Sequence, residues 1–252
     1  MNSAENSKEN VFYNSEWLGN EWAEMIENSP APRHRRRIIK QLAKESSFQI
    51  NTMLDVGCGS GILIKELKEL LGAKVQFSGC DISASAININ KQKYHDVQWF
   101  VSDLDEQELN RQADLVVCSE VLEHVRDWEQ SLDKLIKAAN KRLIITVPSG
   151  KLFEIDKKVG HYRHFNRAML DKALGKYQNI RYKLFFWGMP FHTLYKHAIN
   201  FFPEKTYSGF AQSKYSAKQE MLSDILYNLF FLNLKTRFEA NQLFLIIDKH
   251  ER

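Results

Sequence analysis

The stretch "LDVGCGSG", Leu54 to Gly61, decides how this sequence is read. An apolar run with the character of a strand, "TMLDV", leads into Gly57, Gly59 and Gly61 and then into the helical pattern "ILIKELKELLG". Glycines so spaced allow a tight turn in which the backbone can approach a ligand, and the free N–H groups at a helix start can bind it. A dinucleotide fingerprint would need its third small residue at Ile62, and a P-loop would end in Gly-Lys-Ser/Thr; the sequence has neither.

Downstream, apolar and amphipathic segments alternate: "KVQFSGCD", "SASAININKQKYH", "VQWFVSD", "ADLVVCS", "WEQSLDKLIKAAN" and "KRLIITVPS". That order predicts an α/β fold, a Rossmann-like, doubly wound and mostly parallel sheet whose ligands sit at the C-terminal strand ends. After Pro148 come a polar loop, a short helical segment "NRAMLDKALG", a strand-like "RYKLFFW" and a final strand "NQLFLIID". Residues 189–240, before that last strand, are aromatic-rich and longer than an ordinary crossover; they read as a lid or acceptor-binding insertion, a bilayer-interface contact, or core. Residues 1–47 read as a polar, mobile tail and a helical lead-in that carries Phe12, Tyr13, Trp17 and Trp22, and residues 48–252 as the main domain. No internal repeat interrupts this division.

With Asp55 two positions before the first glycine, "LDVGCGSG" resembles the first motif of class I S-adenosylmethionine-dependent methyltransferases. The resemblance continues through "FSGCDIS", "FVSDLDE" and "DLVVCSEVLEH", covering residues 52 to about 150 well and the remainder in outline. It implies S-adenosyl-L-methionine as cofactor, held by Asp55, Gly57, Gly59 and Gly61 in the loop and by Asp81, whose carboxylate would accept from both ribose hydroxyls. Ile82 would pack on the adenine, Asp103 would meet its amino group, and Leu104 and Ser119 would complete the pocket. The words "SEVLEH", "TVPSG", "GHYRHF" and "WGMPFHTLYK" are most similar to bacterial methyltransferases of the type 11/12 kind from polysaccharide and natural-product pathways, which implies O-methylation of a saccharide or related small polar metabolite. No Asn/Asp-Pro-Pro-Tyr tetrapeptide follows the fourth strand, a departure from amino-directed DNA and glutamine methyltransferases.

Glu120, Glu123 and His124 lie at i, i+3 and i+4, the spacing of one helix face. The segment is similar to that of ubiquinone-biosynthesis O-methyltransferases and small-RNA 3′-terminal 2′-O-methyltransferases, in which a Glu-x-x-Glu-His cluster with a later histidine can bind a divalent ion. "GHYRHF" offers His161 and His164 for that part. Three roles stay open. Glu120, Glu123, His124, His161 and His164 could ligate a divalent metal that leaves positions for acceptor oxygens. Alternatively, the catalytic set is Glu120, His124 and His161, an imidazole base oriented by a carboxylate. The bland alternative is glutamates that cap and solvate a helix start beside a packed histidine. In "GHYRHF", Arg163 and its flanking histidines either grip a polar or anionic acceptor or form a surface loop.

Composition leaves these readings room. The 252 residues are 44% hydrophobic and 26% charged, and 35 Lys and Arg against 31 Asp and Glu leave +4 spread along the chain. "PRHRRR", Pro32 to Arg37, could grip nucleic acid or the cofactor's methionine carboxylate, or be an exposed basic helix start. An RNA 2′-O-methyltransferase is thus the second reading of function, and a non-catalytic cofactor-binding partner protein the third. Cys58, Cys80 and Cys118 lack CxxC or zinc spacing and read as reduced thiols of a cytoplasmic protein. The polar start "MNSAENSKEN" has no apolar signal core, and no run approaches the about 18 to 20 apolar residues of a membrane span. Oligomeric state leaves no mark in the sequence.

Overall fold

The computed structural model describes residues 14, 21–201 and 214–249. Phe12, Tyr13 and Trp17 of the lead-in lie outside them. Among the described residues the order is α1 (Glu21–Asn28), α2 (Pro30–Lys44), β1 (Thr52–Val56), α3 (Ile62–Leu71), β2 (Gln76–Asp81), α4 (Ala84–Lys93), β3 (Gln98–Val101) and β4 (Ala113–Ser119). There follow α5 (Trp128–Ala138), β5 (Ala139–Pro148), α6 (Glu154–Lys158), α7 (Arg167–Leu174), β6 (Ile180–Met189), α8 (Phe191–Phe201), α9 (Ala217–Phe230), β7 (Leu234–Thr236) and β8 (Gln242–Lys249).

The strands form one sheet in the order β3-β2-β1-β4-β5-β8-β6-β7. The first five are parallel to one another, and β8, β6 and β7 add antiparallel pairs at one side. This is the doubly wound α/β sheet expected from the alternating pattern. The three-residue β7 inside the insertion is a strand that periodicity could not register.

Both faces of the sheet are covered, so its central strands are apolar throughout and alternate between two cores. Leu54, Val116, Leu143 and Leu245 face one core with α5 and α7; Met53, Val117, Ile144 and Phe244 face the other with α2 and α3. The lead-in is part of that second core: Ile38 and Ile39 of α2 are fully buried. Pro30 and Pro32 stand in the first turn of α2, where a missing N–H leaves no helix bond unmade.

Part of the 189–240 insertion also packs inward. Trp187 and His192 stack at 5.0 Å, and Phe230 of α9 meets both rings edge-on. His34, on α2, closes this cluster, with ring centroids 4.4 to 5.9 Å from Tyr227, Phe231, Trp187 and Phe230. Arg37 Nε donates to His34 Nδ1 (3.1 Å), which leaves the proton on Nε2, 2.5 Å from the Tyr227 carbonyl oxygen.

Burial lowers the His34 pKa to about 4, against the opposing pull of the Tyr227 carbonyl. A histidine depressed in the folded state contributes stability that is full above its unfolded pKa, about 6.5, and is lost as pH falls toward 4. His34→Phe should therefore shrink the loss of unfolding free energy between pH 7 and pH 4.5 by about 2 to 3 kcal/mol. Urea unfolding at the two pH values measures this, and an unchanged difference would assign the acid sensitivity to other groups.

Candidate active site

The glycine loop begins where β1 ends, and the backbone N–H groups of Gly57 and Cys58 both donate to the Cys80 carbonyl at 2.8 and 2.9 Å. Gly57 has φ +74°, and a Cβ there would stand 2.2 Å from Val121 Cγ2. Only glycine lets the loop lie against the segment that follows β4. Gly59 N donates to Asp81 Oδ2 and Ser83 N to Asp81 Oδ1, both at 2.9 Å, and the Ile82 N–H also acts on this carboxylate, whose four lone pairs are thus not all used.

These strand ends enclose a cavity of about 480 Å³. Asp55, Gly57, Gly59, Asp81 and Ile82 line one side of it, and Asp103, Leu104, Ser119, Glu120 and His124 also face it. Gly61 is not part of the lining. It starts α3 with φ +72°, and a Cβ there would meet Trp99 at 2.9 Å and Tyr94 at 3.1 Å, so its smallness serves helix packing. The lead-in completes the lining with Ile26, Pro32, Arg35 and Arg36; the last three lie in "PRHRRR", for which a grip on the cofactor's methionine carboxylate is one of the sequence readings, whereas nothing in the sequence pointed to Ile26.

The cavity is acidic. Burial first, then the neighbouring Asp81, pushes the Asp55 carboxyl up to about 7. Asp81 is also raised by burial, and the N–H groups it accepts from moderate the shift. A cation or a polyhydroxylated group is welcome beside two such carboxyls, whereas a phosphate is repelled.

"SEVLEH" is not helical, contrary to the shared-face expectation. β4 ends at Ser119, Glu120 takes a left-handed backbone with φ +57°, residues 121–125 form a turn, and the next helix starts at Trp128. The turn separates the two glutamates. The Glu120 carboxylate pairs with Arg35 Nη1 at 2.9 Å and accepts from Gln242 Nε2 at 2.8 Å and Thr146 Oγ1 at 3.2 Å. Ser119 Oγ lies 2.8 Å from the same threonine oxygen.

Glu123 points the other way and is fully buried, with no hydrogen-bond partner for either carboxylate oxygen among the described residues. Its Oε1 is 4.0 Å from His124 Nε2, and the His124 and His161 rings meet edge to face at 4.6 Å. Glu123, His124 and His161 each bring a ligand atom within 4.8 Å of the others, and Asp156, His161 and His164 form a second such group. Glu120 belongs to neither, and Asp156 was not foreseen. His164 Nε2 lies 3.3 Å from His161 Nδ1 and 3.4 Å from Asp156 Oδ2, and Lys196 Nζ of α8 stands 3.7 Å from Asp156 Oδ1.

Burial, reinforced by Glu120, holds the Glu123 carboxyl well above the usual range. Burial also lowers His124 to about 4, and depresses His161 further with help from His124 and His164. The two imidazoles are thus neutral near pH 7, and the Glu123 carboxyl is biased toward its protonated form.

Two expectations about arginines are corrected. Arg163 does not reach for an acceptor: its guanidinium donates to the carbonyls of Leu122, Val125 and Arg126, clamping the turn that carries Glu123 and His124. "PRHRRR" is not an exposed basic face either. Arg36 is buried against Glu66 and the Ile26 and Glu27 carbonyls, and Arg35 is held by Glu120.

Comparison with known proteins agrees with this architecture. Residues 54–142 match the family model described as a methyltransferase domain. The malonyl-[acyl-carrier protein] O-methyltransferase of Anoxybacillus flavithermus is 28% identical over 110 residues, 43% of this chain and 42% of that protein. The ubiquinone biosynthesis O-methyltransferase of Coxiella burnetii is 32% identical over 117 residues, 43% of this chain and 49% of that protein. The chain spans less than half the length of these relatives.

Among solved structures, the N-methyltransferase NodS of Bradyrhizobium japonicum, in complex with S-adenosyl-L-homocysteine, superposes with a TM-score of 0.55 at 14% identity over 92% of this chain and 97% of its own. Phosphoethanolamine N-methyltransferase 2 of Haemonchus contortus, in complex with S-adenosyl-L-methionine, gives 0.57 at 18% identity over 93% and 57%. The fold is the one these S-adenosylmethionine- and S-adenosylhomocysteine-bound methyltransferase structures share, and residues 54–142 match the methyltransferase-domain model.

The contact between the glycine loop and the turn is directly testable. Gly57→Ala should cost at least about 1 to 3 kcal/mol of stability from the left-handed backbone alone, with the Val121 collision added. Adding Val121→Ala should recover the collision but not the backbone strain. Urea unfolding of the two single variants and the double variant measures the coupling, and simple additivity would mean that the two positions do not touch.

Proposed function

We propose that the chain is an S-adenosylmethionine-dependent O-methyltransferase that acts on a hydroxyl of a small polar acceptor, a saccharide or related metabolite. The observation that carries this reading is the continuity of an acidic glycine cradle with a buried carboxylate–imidazole cluster across a single turn. The acidic cradle suits a ligand bearing a sulfonium and an ammonium and disfavours a pyrophosphate cofactor. Hydroxyl transfer, as opposed to amine transfer, is supported by the cluster, since an alcohol must lose its proton as it attacks. The two relatives described above are both named O-methyltransferases. The saccharide rests on the sequence resemblance alone.

In this reading S-adenosylmethionine supplies an electrophilic methyl group. Asp81 accepts from the ribose hydroxyls with its remaining lone pairs, Ile82 and Leu104 pack on the adenine beside Asp103, and Asp55 with the loop backbone meets the methionine end. Arg35 anchors Glu120 at the border between the cradle and the acceptor side. Glu123, His124 and His161 fit a divalent ion: their imidazoles are neutral, and the orphaned carboxylate of Glu123 is ready to ionise beside a cation. Such an ion would lower the pKa of an acceptor hydroxyl.

A metal-free second reading has His161 take the proton, oriented by His164 and Asp156. Its strongly lowered pKa makes it a weak base, which favours the first reading. An RNA acceptor loses its main support because Arg35 and Arg36 are paired internally. Three free, buried cysteines suit a reducing compartment, and the cytoplasm is proposed on that basis.

Calorimetry should show S-adenosylmethionine or its demethylated product binding, with Asp81→Ala weakening it by about 1 to 3 kcal/mol. Preferential binding of NAD would overturn the reading. In a screen of nucleotide sugars, glycans and small RNAs, with methyl incorporation read by mass spectrometry, Glu123→Gln and His161→Ala should retain cofactor affinity and lose roughly 100-fold or more of transfer. Activity lost to a chelator and restored by magnesium or manganese supports the ion. Indifference to the chelator, with Glu123→Gln near normal and His161→Ala inactive, supports the base.

A further inference from the structure

The surface of this protein is not uniform in its apolar content. Among the described residues fifteen large hydrophobic side chains are exposed, and ten of these lie between Met189 and Phe238. All eight that are more than half exposed belong to that segment, with Phe238 at 83% and Phe201 at 80%. The other five are scattered, and none exceeds 48%.

All ten lie at the end of β6, on α8, α9 or β7, or in the turns flanking β7. Met221, Ile225 and Leu232 recur at helical spacing along α9 and the turn after it, beside Leu222. The stripe leads into Leu234, the register partner of exposed Met189 at the sheet edge, and α8 starts two residues beyond Met189 with Leu194 on its open side. Exposed apolar side chains concentrated on so few neighbouring elements mark a contact site.

Its surroundings indicate what it touches. Arg33 lies over the Tyr227 ring at 4.1 Å and Arg37 over the Phe231 ring at 4.4 Å. Lys218 starts α9, and Lys235 and Arg237 alternate with Leu234 and Phe238. Among the described acidic groups here, Asp224 is paired with Arg33 and Glu24 accepts from the Tyr215 N–H, leaving Glu220 and Glu239 against Arg37, Lys218, Lys235 and Arg237. A second copy docked about a twofold axis would set this basic fringe against itself, a repulsion that specific interfaces avoid. Anionic headgroups would neutralise the fringe while the apolar side chains enter the acyl boundary.

We propose that the face formed by α8, α9 and the β7 turn docks peripherally on an anionic lipid surface. No helix among the described residues is long and apolar enough to cross a membrane, so the contact is with one leaflet. The inference stands apart from the methyl-transfer reading. It nevertheless bears on the site, because α8 shows Leu194 outward and brings Lys196 to Asp156 inward.

Sedimentation with vesicles of phosphatidylcholine containing a third phosphatidylglycerol tests this without any acceptor or cofactor. The chain should bind these vesicles, bind pure phosphatidylcholine far more weakly, and release as salt is raised. Ile225→Asp and, separately, Phe238→Ser should each lower the partition by roughly tenfold, and the Lys235→Glu/Arg237→Glu pair at least as much. Phe238 lies in an open turn, so its variant keeps the fold; unchanged circular dichroism checks all of them. Absence of binding to anionic vesicles overturns the proposal. So does a stable dimer by light scattering that Ile225→Asp dissolves, which would make the face a contact between copies.

Discussion

A missing side chain holds the site together. At Gly57 the main chain turns with positive φ, donates to the carbonyl of β2 and lies against Val121, so β1, β2 and the turn after β4 meet at one point. Any Cβ would force the cradle and the turn apart. The distance between the cavity beside Asp81 and the cluster around His124 is thereby set by backbone contact, which positions groups more firmly than side-chain rotamers do. Direct transfer of a small group between two bound molecules requires that kind of fixed spacing.

A second constraint ties distant parts of the chain to the same turn. Glu120 is held by Arg35 from the lead-in, Thr146 from β5 and Gln242 from β8. Gln242 also donates to the Val147 carbonyl, so the bond network continues into the middle of the sheet. A non-glycine residue with φ +57° is strained, and it persists here because three partners fix its carboxylate. The lead-in is thus part of the site as well as part of the core: Pro32 and Arg35 wall the cavity while Ile38 and Ile39 anchor α2 under the sheet.

How much of this could be read from the sequence depends on how local each signal is. The glycine loop, the acids at the ends of β2 and β3 and the alternation of strand and helix are short-range patterns, and the structure has each of them where the pattern put it. "SEVLEH" has helical spacing, but its conformation is decided by Arg35 and Gln242, which are 85 and 122 residues away from Glu120 in sequence and invisible in the spacing. Asp156 sits in the stretch after Pro148 that reads as a polar loop, and Lys196 in an aromatic run, so neither announced itself as a neighbour of His161 and His164. The one available hint was position: Asp156 lies between the end of β5 and "GHYRHF", and in a parallel sheet the connections leaving the C-terminal strand ends converge on one rim. For Arg36 the misleading signal was composition, since a run of cations says nothing about Glu66 waiting on the neighbouring helix.

The electrostatics of Glu123 follow from the same geometry. Its carboxyl is fully buried, lies within reach of the charge on Glu120 beyond the turn and has two imidazoles beside it. An isolated buried carboxylate is costly, so in the absence of a cation burial favours the protonated form. The nearby charges do little to change that. Arg35 is already paired with Glu120, and Lys196 stands nearest to Asp156, so both act on Glu123 only at a distance. A divalent ion between Glu123, His124 and His161 would reverse the balance: the carboxyl would release its proton, while the imidazoles, neutral already, would release none. The ion would then compete with the proton on Glu123, so its occupancy would rise with pH. A base mechanism has no such coupling, because nothing in it requires Glu123 to ionise. The protonation state of one buried glutamate therefore separates the two chemistries that the sequence left open.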